Sequence, residues 1–287
     1  MAELLRGAPA AAALTDTLIP RCGELLKRGI TPTLAIVRLG ARDDDRAYET
    51  AAIRRCEKIG IRVKPYLLSE STTTAALLAV IDEINADASI HGCLIFRPLP
   101  DAAMEEAACA RLAPEKDVDG MTRASQAYVY SGKGLGFSPC TAEACVRLLE
   151  HYGYDLTGKH VVVLGRSRVV GRPLFMLLLQ KNATVTVCHS RSVNEQAISR
   201  TADIVVAAVG KPEHVDASYF HSGQIVVDVG IHERADGTLC GDVSTAAAED
   251  VAAYSPVPGG VGNLTTSILA EHVLIACEKS LAIPVNQ

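Results

Sequence analysis

Tryptophan is absent from this chain of 287 residues, and all aromatic residues together reach only 4%. With 48% hydrophobic residues, the core must be built from Ala, Val, Ile and Leu, the usual makeup of α/β layers whose parallel strands are aliphatic runs. An excess of basic charge is also lacking: 28 Lys and Arg stand against 33 Asp and Glu, a net charge of −5. That balance argues against a nucleic-acid partner, which needs a basic face. No run approaches the roughly 18 apolar residues of a membrane span, so no membrane partner is expected. The Ala-rich N-terminus does not read as a secretion signal, because Glu3 sits where a positive region belongs and an amphipathic helix follows. Cysteine is not scarce, at nine, but the number is odd and no Cys-x-x-Cys pair occurs. Buried reduced thiols in a soluble cytoplasmic protein are expected, with no metal site.

The length allows one large or two modest domains. Apolar runs alternate with helical patterns almost from end to end, which predicts α/β layers around largely parallel sheets. In the first half, helices are predicted over about 10–28, 45–59 and 72–86, with strands at Thr33–Val37, Arg62–Leu67 and Cys93–Phe96. The Pro-rich turn Arg97-Pro-Leu-Pro-Asp101 then breaks the pattern, as ligand-lining loops do. In the second half, helices are predicted over about 141–153, 171–180 and 193–199, with strands at 160–164, Thr184–Cys188, Ile204–Ala208 and Gln224–Val229. That series reads as a dinucleotide-type unit. A last helix is predicted from about 265 to 279.

The segment Val161-Val-Val-Leu-Gly165-Arg166-Ser167-Arg168-Val-Val170-Gly171-Arg172-Pro173 reads as a buried strand, a tight glycine turn carrying arginines, and a helix start. A helix start presents unpaired N–H groups and partial positive charge, which suits a phosphate. Such a turn alone also occurs in many α/β proteins that bind nothing there. About twenty residues on, the strand Thr184–Cys188 ends in His189-Ser190-Arg191, where an NAD-type fold places an acid on the ribose hydroxyls. A hydroxyl and a guanidinium at that edge suit a 2′-phosphate, so NADP is expected over NAD; the plain alternative is a solvated strand end. Cys188-His189 lacks companion ligands at useful spacing, and His91 beside Cys93 reads as an ordinary strand-entry residue.

In Pro256-Val-Pro258-Gly259-Gly260-Val261-Gly262 the paired glycines admit a ligand to the backbone while the prolines stiffen the loop; a tight turn is the alternative. Thr265 or Thr266 is placed to cap the following helix. Pro114-Glu-Lys116-Asp117-Val118-Asp119-Gly120 reads either as a solvated charged turn or as a loop in which Asp119 is an anchoring carboxylate.

With these blocks in hand, the chain resembles the methylenetetrahydrofolate dehydrogenase/cyclohydrolase (FolD-like) family along essentially its whole length. The blocks that carry the resemblance are Gly165–Pro173, Cys188–Arg191, Pro114–Gly120, Pro139–Thr141 and Pro256–Gly262, with shorter echoes at Gly29-Ile-Thr-Pro, Tyr48 with Cys56, Asp228-Val-Gly-Ile231 and Gly241-Asp-Val243. The resemblance implies two three-layer α/β domains with a cleft between them, the second a Rossmann-type NADP-binding domain, and commonly a homodimer. Residues 1–138, with a C-terminal helix about 265–287 packing back on them, would form the folate-binding catalytic domain, and 139–264 the NADP domain. Tetrahydrofolate derivatives are the implied substrates. Tyr48 and Asp119 match the family's folate-ring tyrosine and pterin-binding aspartate. Phe96, Pro98 and Leu99, with Pro258, Gly259, Gly260, Val261 and Gly262, occupy the remaining substrate positions. Gly165, Arg166, Ser167, Val170, Gly171 and Pro173 match the cofactor turn, Ser190 and Arg191 the 2′-phosphate edge, and Gly210 and Ile231 further cofactor positions.

The departures are concentrated around the folate site. The family writes Tyr-x-x-x-Lys, one helical turn apart; here the fourth residue after Tyr48 is Ala52. The family strand Ile-Leu-Val-Gln-Leu-Pro-Leu-Pro becomes Cys93-Leu-Ile-Phe96-Arg97-Pro98-Leu99-Pro100, so the glutamine is Phe96. The serine three residues before the tyrosine is Asp45, and the Pro-Met after the glycine loop is Asn263-Leu264. Arg54 falls on a different helical face from Tyr48, strand alternation turns Arg97 away from Phe96, and Asp45 with Arg97 is a conceivable rebuilt polar pocket. Hydride transfer mainly needs positioning, whereas hydrolysis of the methenyl cation needs a general acid or base. The expected function is NADP-dependent oxidation of 5,10-methylenetetrahydrofolate, with cyclohydrolase activity weak or lost. The alternatives are a fully bifunctional enzyme, and a diverged NADP-binding protein with a non-folate ligand or no turnover.

Overall fold

The computed structural model describes residues 2–282. The chain forms two compact units, Ala13–Cys140 with the chain from Thr266 onward, and the chain up to Ala12 with Thr141–Thr265. It opens with a two-residue strand β1 (Glu3–Leu4) and the helix α1 (Gly7–Lys27). Strand β2 (Thr33–Leu39), helix α2 (Asp43–Ile59), strand β3 (Arg62–Leu68), helix α3 (Thr74–Ala86) and strand β4 (Gly92–Ile95) follow, then helices α4 (Ala102–Arg111) and α5 (Arg123–Ser131).

The first unit holds a parallel sheet in the order β3-β2-β4. All seven residues of β2 are buried, as a central parallel strand covered on both faces requires. The chain steps from β2 out to β3 and returns through α3 to β4 on the other side of β2. The strand order therefore reverses between the carboxyl ends of β2 and β4, the place where open α/β sheets put ligands. A core that includes Val37, Ile81, Ile95, Leu99 and Met104 fills this side. The charged loop before α5 is not a solvated turn: the Lys116 ammonium donates to the Ile84, Asn85 and Asp87 carbonyls at 2.7–3.0 Å, closing the end of α3.

Helix α6 (Cys140–His151) leads into the second unit, with β5 (His160–Leu164), α7 (Gly171–Gln180), β6 (Thr184–Cys188), α8 (Glu195–Ser199), β7 (Ile204–Ala207) and β8 (Ile225–Asp228). A hairpin β9 (His232–Glu233) and β10 (Leu239–Cys240), strand β11 (Ala253–Ser255) and helix α9 (Gly262–Ala282) complete the chain. The six-stranded sheet runs β1-β11-β8-β7-β5-β6 and every pairing is parallel. One strand lies beyond β5, so the order is the flavodoxin-type variant of the doubly wound sheet, with its switch point between β5 and β7.

The two-domain α/β architecture with parallel sheets is the one the sequence predicted. Its borders differ at the start: residues up to Ala12 go with the second unit, because β1 pairs with β11, Glu3 opposite Ala253 and Leu4 opposite Tyr254. The part of the expected C-terminal segment at 283–287 lies outside the described residues. Helices α4 and α5 and strands β1, β9, β10 and β11 were not predicted. The Ala- and Glu-rich α4 has no apolar period to betray it, and the extra strands are two or three residues long.

Candidate active site

In the first unit, α2 presents Asp45, Glu49, Ala52, Cys56 and Ile59 as its buried stripe. The three aspartates in its first turn favour the positive end of the helix dipole. Tyr48 borders that stripe and is half-buried, while Ala52, one turn on, is completely buried. Two buried acids on an apolar stripe need partners. Asp45 takes the Arg42 guanidinium through two bonds of 2.8 and 3.0 Å, and Glu49 takes Arg38 from β2 at 2.8 Å. The Arg38–Glu49 pair was not foreseen, although a charged residue inside the apolar run of β2 was the available signal.

Phe96 follows β4 directly, donates its N–H to the Val37 carbonyl at 3.0 Å, and is 8% exposed. Its ring meets that of Tyr48 edge to face, with centroids 6.0 Å apart. Arg97 turns to Asp119, Nη2 to Oδ2 at 3.4 Å. The conceivable Asp45–Arg97 pocket is thus not formed, because each of those residues is paired elsewhere. Pro98 is exposed, and Leu99 is buried with its N–H on Glu105 at 3.1 Å. Arg54 is exposed.

The loop before α5 separates its two aspartates by role. Asp117 is fully buried and accepts from the Met121 and Thr122 N–H groups and the Ser125 hydroxyl. Asp119 faces Arg97 and the Cys140 thiol. Burial pushes the Asp119 carboxyl above the usual carboxylate range, and the Arg97 guanidinium partly offsets this.

In the second unit the turn after β5 is built on a close approach. Gly165 has φ +126°, and a Cβ there would lie 2.1 Å from the Ala208 carbonyl oxygen at the end of β7; only glycine fits both constraints. The helix start that follows is not left open as the sequence suggested. The Ser167 hydroxyl accepts from the Val170 and Gly171 N–H groups at 3.0 and 3.4 Å, and the Ser167 carbonyl accepts from Arg172 N–H at 3.0 Å. The side chains of Arg166, Arg168 and Arg172 are exposed and available to an anion, and Pro173 is buried. At the end of β6, Ser190 and Arg191 are exposed and the turn is closed by Ser192, whose hydroxyl accepts from His189 N–H at 2.9 Å.

Gly210 and Ile231 are placed by two buried acids the sequence reading did not assign. Asp242 accepts from the N–H groups of Val209, Gly210 and Lys211 at 2.6–3.1 Å and contacts His232 Nε2 at 2.8 Å. Asp228 accepts from the N–H groups of Gly230, Asp242 and Val243 and from the Tyr254 hydroxyl. Burial pushes the Asp228 carboxyl up to about 6. Ile231 is left 66% exposed beside this frame, an apolar residue offered to a ligand. The only advance sign was the pair of aspartates flanked by glycines.

In the loop at 256–262, Pro258 and Gly262 are exposed, Gly259 is half-buried, and Gly260 and Val261 are buried. Gly7 at the start of α1 donates its N–H to the Gly259 carbonyl at 2.8 Å. Thr265 and Thr266 are not caps, because α9 begins at Gly262 and Thr265 bonds back to the Gly262 carbonyl. Among the described residues no group of three or more His, Cys, Asp or Glu is arranged to hold a metal ion.

Residues 5–119 match the tetrahydrofolate dehydrogenase/cyclohydrolase catalytic domain, and residues 139–281 match the NAD(P)-binding domain of the same family. The bifunctional protein FolD of Clostridioides difficile is 46% identical over 96% of this chain and 96% of its own length. The crystal structure of bifunctional FolD from Campylobacter jejuni superimposes with a TM-score of 0.91 at 34% identity, over 97% of this chain and 99% of the other. The FolD of Trypanosoma brucei, solved with NADP cofactor and an inhibitor, gives a TM-score of 0.92 at 32% identity over 98% and 99%. The chain belongs to the tetrahydrofolate dehydrogenase/cyclohydrolase family.

Proposed function

We propose that this protein is an NADP-dependent 5,10-methylenetetrahydrofolate dehydrogenase whose methenyltetrahydrofolate cyclohydrolase activity is weak or lost. The observation that carries the second clause is the Tyr48–Phe96 ring contact, with a completely buried Ala52 one helical turn after Tyr48. Where the family sets a lysine and a glutamine, this chain has a methyl group and a phenyl ring.

The cofactor fits the residues of the second unit. Glycine at 165 lets the turn after β5 pack against the Ala208 carbonyl and present Arg166, and no acid stands at Ser190 and Arg191 to repel a 2′-phosphate. Arg166 and Arg191 would hold the phosphates, and Ile231 would offer an apolar face. When bound, NADP supplies the acceptor for a hydride.

The first unit would hold the folate. Asp119 accepts from the pterin's N–H donors, and the aromatic pair at Tyr48 and Phe96 orients the ring. Loss of hydride from the methylene carbon is driven by the lone pair of the adjacent substrate nitrogen, so it needs no protein base. Addition of water to the methenyl cation does need one. A guanidinium is a poor general base, so Arg97 does not replace the missing group. Retention of both activities is suggested by the names of the relatives, and a paired assay decides between the readings. The expected result is reduced cofactor from methylenetetrahydrofolate, faster with NADP than with NAD, and methenyl hydrolysis close to the spontaneous rate. Hydrolysis far above that rate in the unaltered protein overturns the loss, and absence of any folate turnover or binding overturns the dehydrogenase reading.

The protein is further proposed to be a cytoplasmic homodimer. Eight of its nine cysteines are buried, which suits a reducing compartment. No helix among the described residues is long and apolar enough to cross a membrane. Sedimentation of the purified chain tests the dimer.

A further inference from the structure

The Arg97 side chain is only 16% exposed, yet its guanidinium carries five N–H donors and makes one long bond, to Asp119. Among the described residues no other acceptor meets it. Its remaining donors reach solvent and meet no acceptor among those residues, so such a group is suited to receive an acceptor from outside the protein. Its neighbour Asp119 is 21% exposed and meets only Arg97 and the weakly donating Cys140 thiol, whereas Asp117 takes three donors from the loop itself. The pair thus sets a carboxylate beside a guanidinium at the carboxyl end of β4, next to the Tyr48–Phe96 contact.

We propose that Arg97 and Asp119 together read the pyrimidinone edge of the reduced pterin, the carboxylate accepting from its amino and ring N–H groups and the guanidinium donating to its ring carbonyl. The inference rests on the folate reading above and adds a specificity-determining residue to it. That edge carries donors and an acceptor side by side, and the Arg97–Asp119 pair is its complement. Position 97 is leucine in the family pattern, so the guanidinium is a feature of this chain. It restores one polar contact where Ala52 and Phe96 have removed two.

The test compares the full-length protein with Arg97→Leu, the residue that the family tolerates at this place, and with Arg97→Lys. Two quantities are measured: KM and kcat for methylenetetrahydrofolate, and the ratio of inhibition constants for folate and its 4-amino-4-deoxy analogue, in which the carbonyl acceptor is replaced by a donor. A hydrogen bond from a charged group is worth a factor of roughly ten to a hundred. Arg97→Leu is expected to raise KM by that factor with kcat changed by no more than about threefold, and to shift the inhibition ratio about tenfold toward the 4-amino compound. Arg97→Lys is expected to recover part of both. An unchanged KM for NADP in the same preparations separates this from general damage. Should Arg97→Leu fail to fold, Arg97→Gln, which still donates to a carbonyl, is compared with Arg97→Met in its place. Unaltered KM and an unaltered inhibition ratio in a folded variant overturn the proposal alone. An unaltered protein that neither turns over methylenetetrahydrofolate nor binds either pterin overturns the folate reading beneath it.

Discussion

Tyr48 and Phe96 meet edge to face, their ring centroids 6.0 Å apart and their planes at 82°. A tyrosine from α2 and a phenylalanine just beyond β4 thereby form an aromatic contact where the family pattern places a glutamine beside the tyrosine. Phe96→Gln removes this contact and sets an amide at a position only 8% exposed. The expected loss is about 2–4 kcal/mol of unfolding free energy, read by urea denaturation. Combined with Ala52→Lys, the same change is expected to raise methenyl hydrolysis by roughly a hundredfold, with neither single variant reaching that rate. Hydrolysis unchanged in a folded double variant counts against the missing lysine and glutamine as the cause.

Arg191 stands exposed at the end of β6 beside Ser190. Arg191→Ala is expected to raise KM for NADP roughly tenfold to a hundredfold, the loss of one charge-assisted contact to a phosphate, while leaving KM for NAD nearly unchanged. Steady-state kinetics with both cofactors checks it. An equal effect on the two cofactors would move the 2′-phosphate away from this edge.

Gly165→Ala sets a Cβ 2.1 Å from the Ala208 carbonyl oxygen on a backbone at φ +126°. The turn after β5 must then move, at a cost of several kcal/mol. Loss of NADP binding by calorimetry and a lowered Tm are expected. The Tyr48, Phe96 and Asp119 positions lie in the other unit, so folate binding measured without NADP should persist.

Asp228 sits at about 6 because burial outweighs its backbone hydrogen bonds. Its native pKa is above the unfolded value, so protonation favours the folded state. The stabilisation it contributes is full below about pH 4 and is lost as pH rises through about 6, a difference on the order of 3 kcal/mol. Asp228→Asn removes this dependence. It also replaces one acceptor oxygen by a donor, which then faces either the Asp242 or the Val243 N–H group, so the variant is less stable at every pH. The difference in unfolding free energy between the two proteins, measured from pH 4 to 7, is expected to narrow toward pH 7. A constant difference would place the titration elsewhere.

Much of the fold was legible because its elements carry clear periods. The aliphatic β2 and β5, the striped α2 and the glycine turn at 165 follow from local patterns of two and 3.6 residues. The short β1 and β11 and the Ala-rich α4 carry no such pattern, and only their packing defines them. The site was less legible. Arg97 and Asp119 are 22 residues apart in sequence, and strand alternation said nothing useful about Arg97, because β4 ends at Ile95 and the chain has already left the sheet. Lys116 looked like a solvated charge but closes the end of α3.

The sequence by itself determined the family, the strand–glycine–helix turn, the acid-free edge at Ser190 and Arg191, and the replacement of lysine and glutamine by Ala52 and Phe96. Those are statements about which groups are present and how they repeat locally, and local chemistry is enough to make them. Tertiary structure alone decided how the charges pair. Glu49 went to Arg38 and Asp119 to Arg97, while Asp242 gathered three backbone N–H groups. A buried charge must find a partner, but which partner lies within reach depends on crossovers and loops that bring distant segments together. For that reason the missing lysine was visible in the sequence, whereas the guanidinium set beside Asp119 was not.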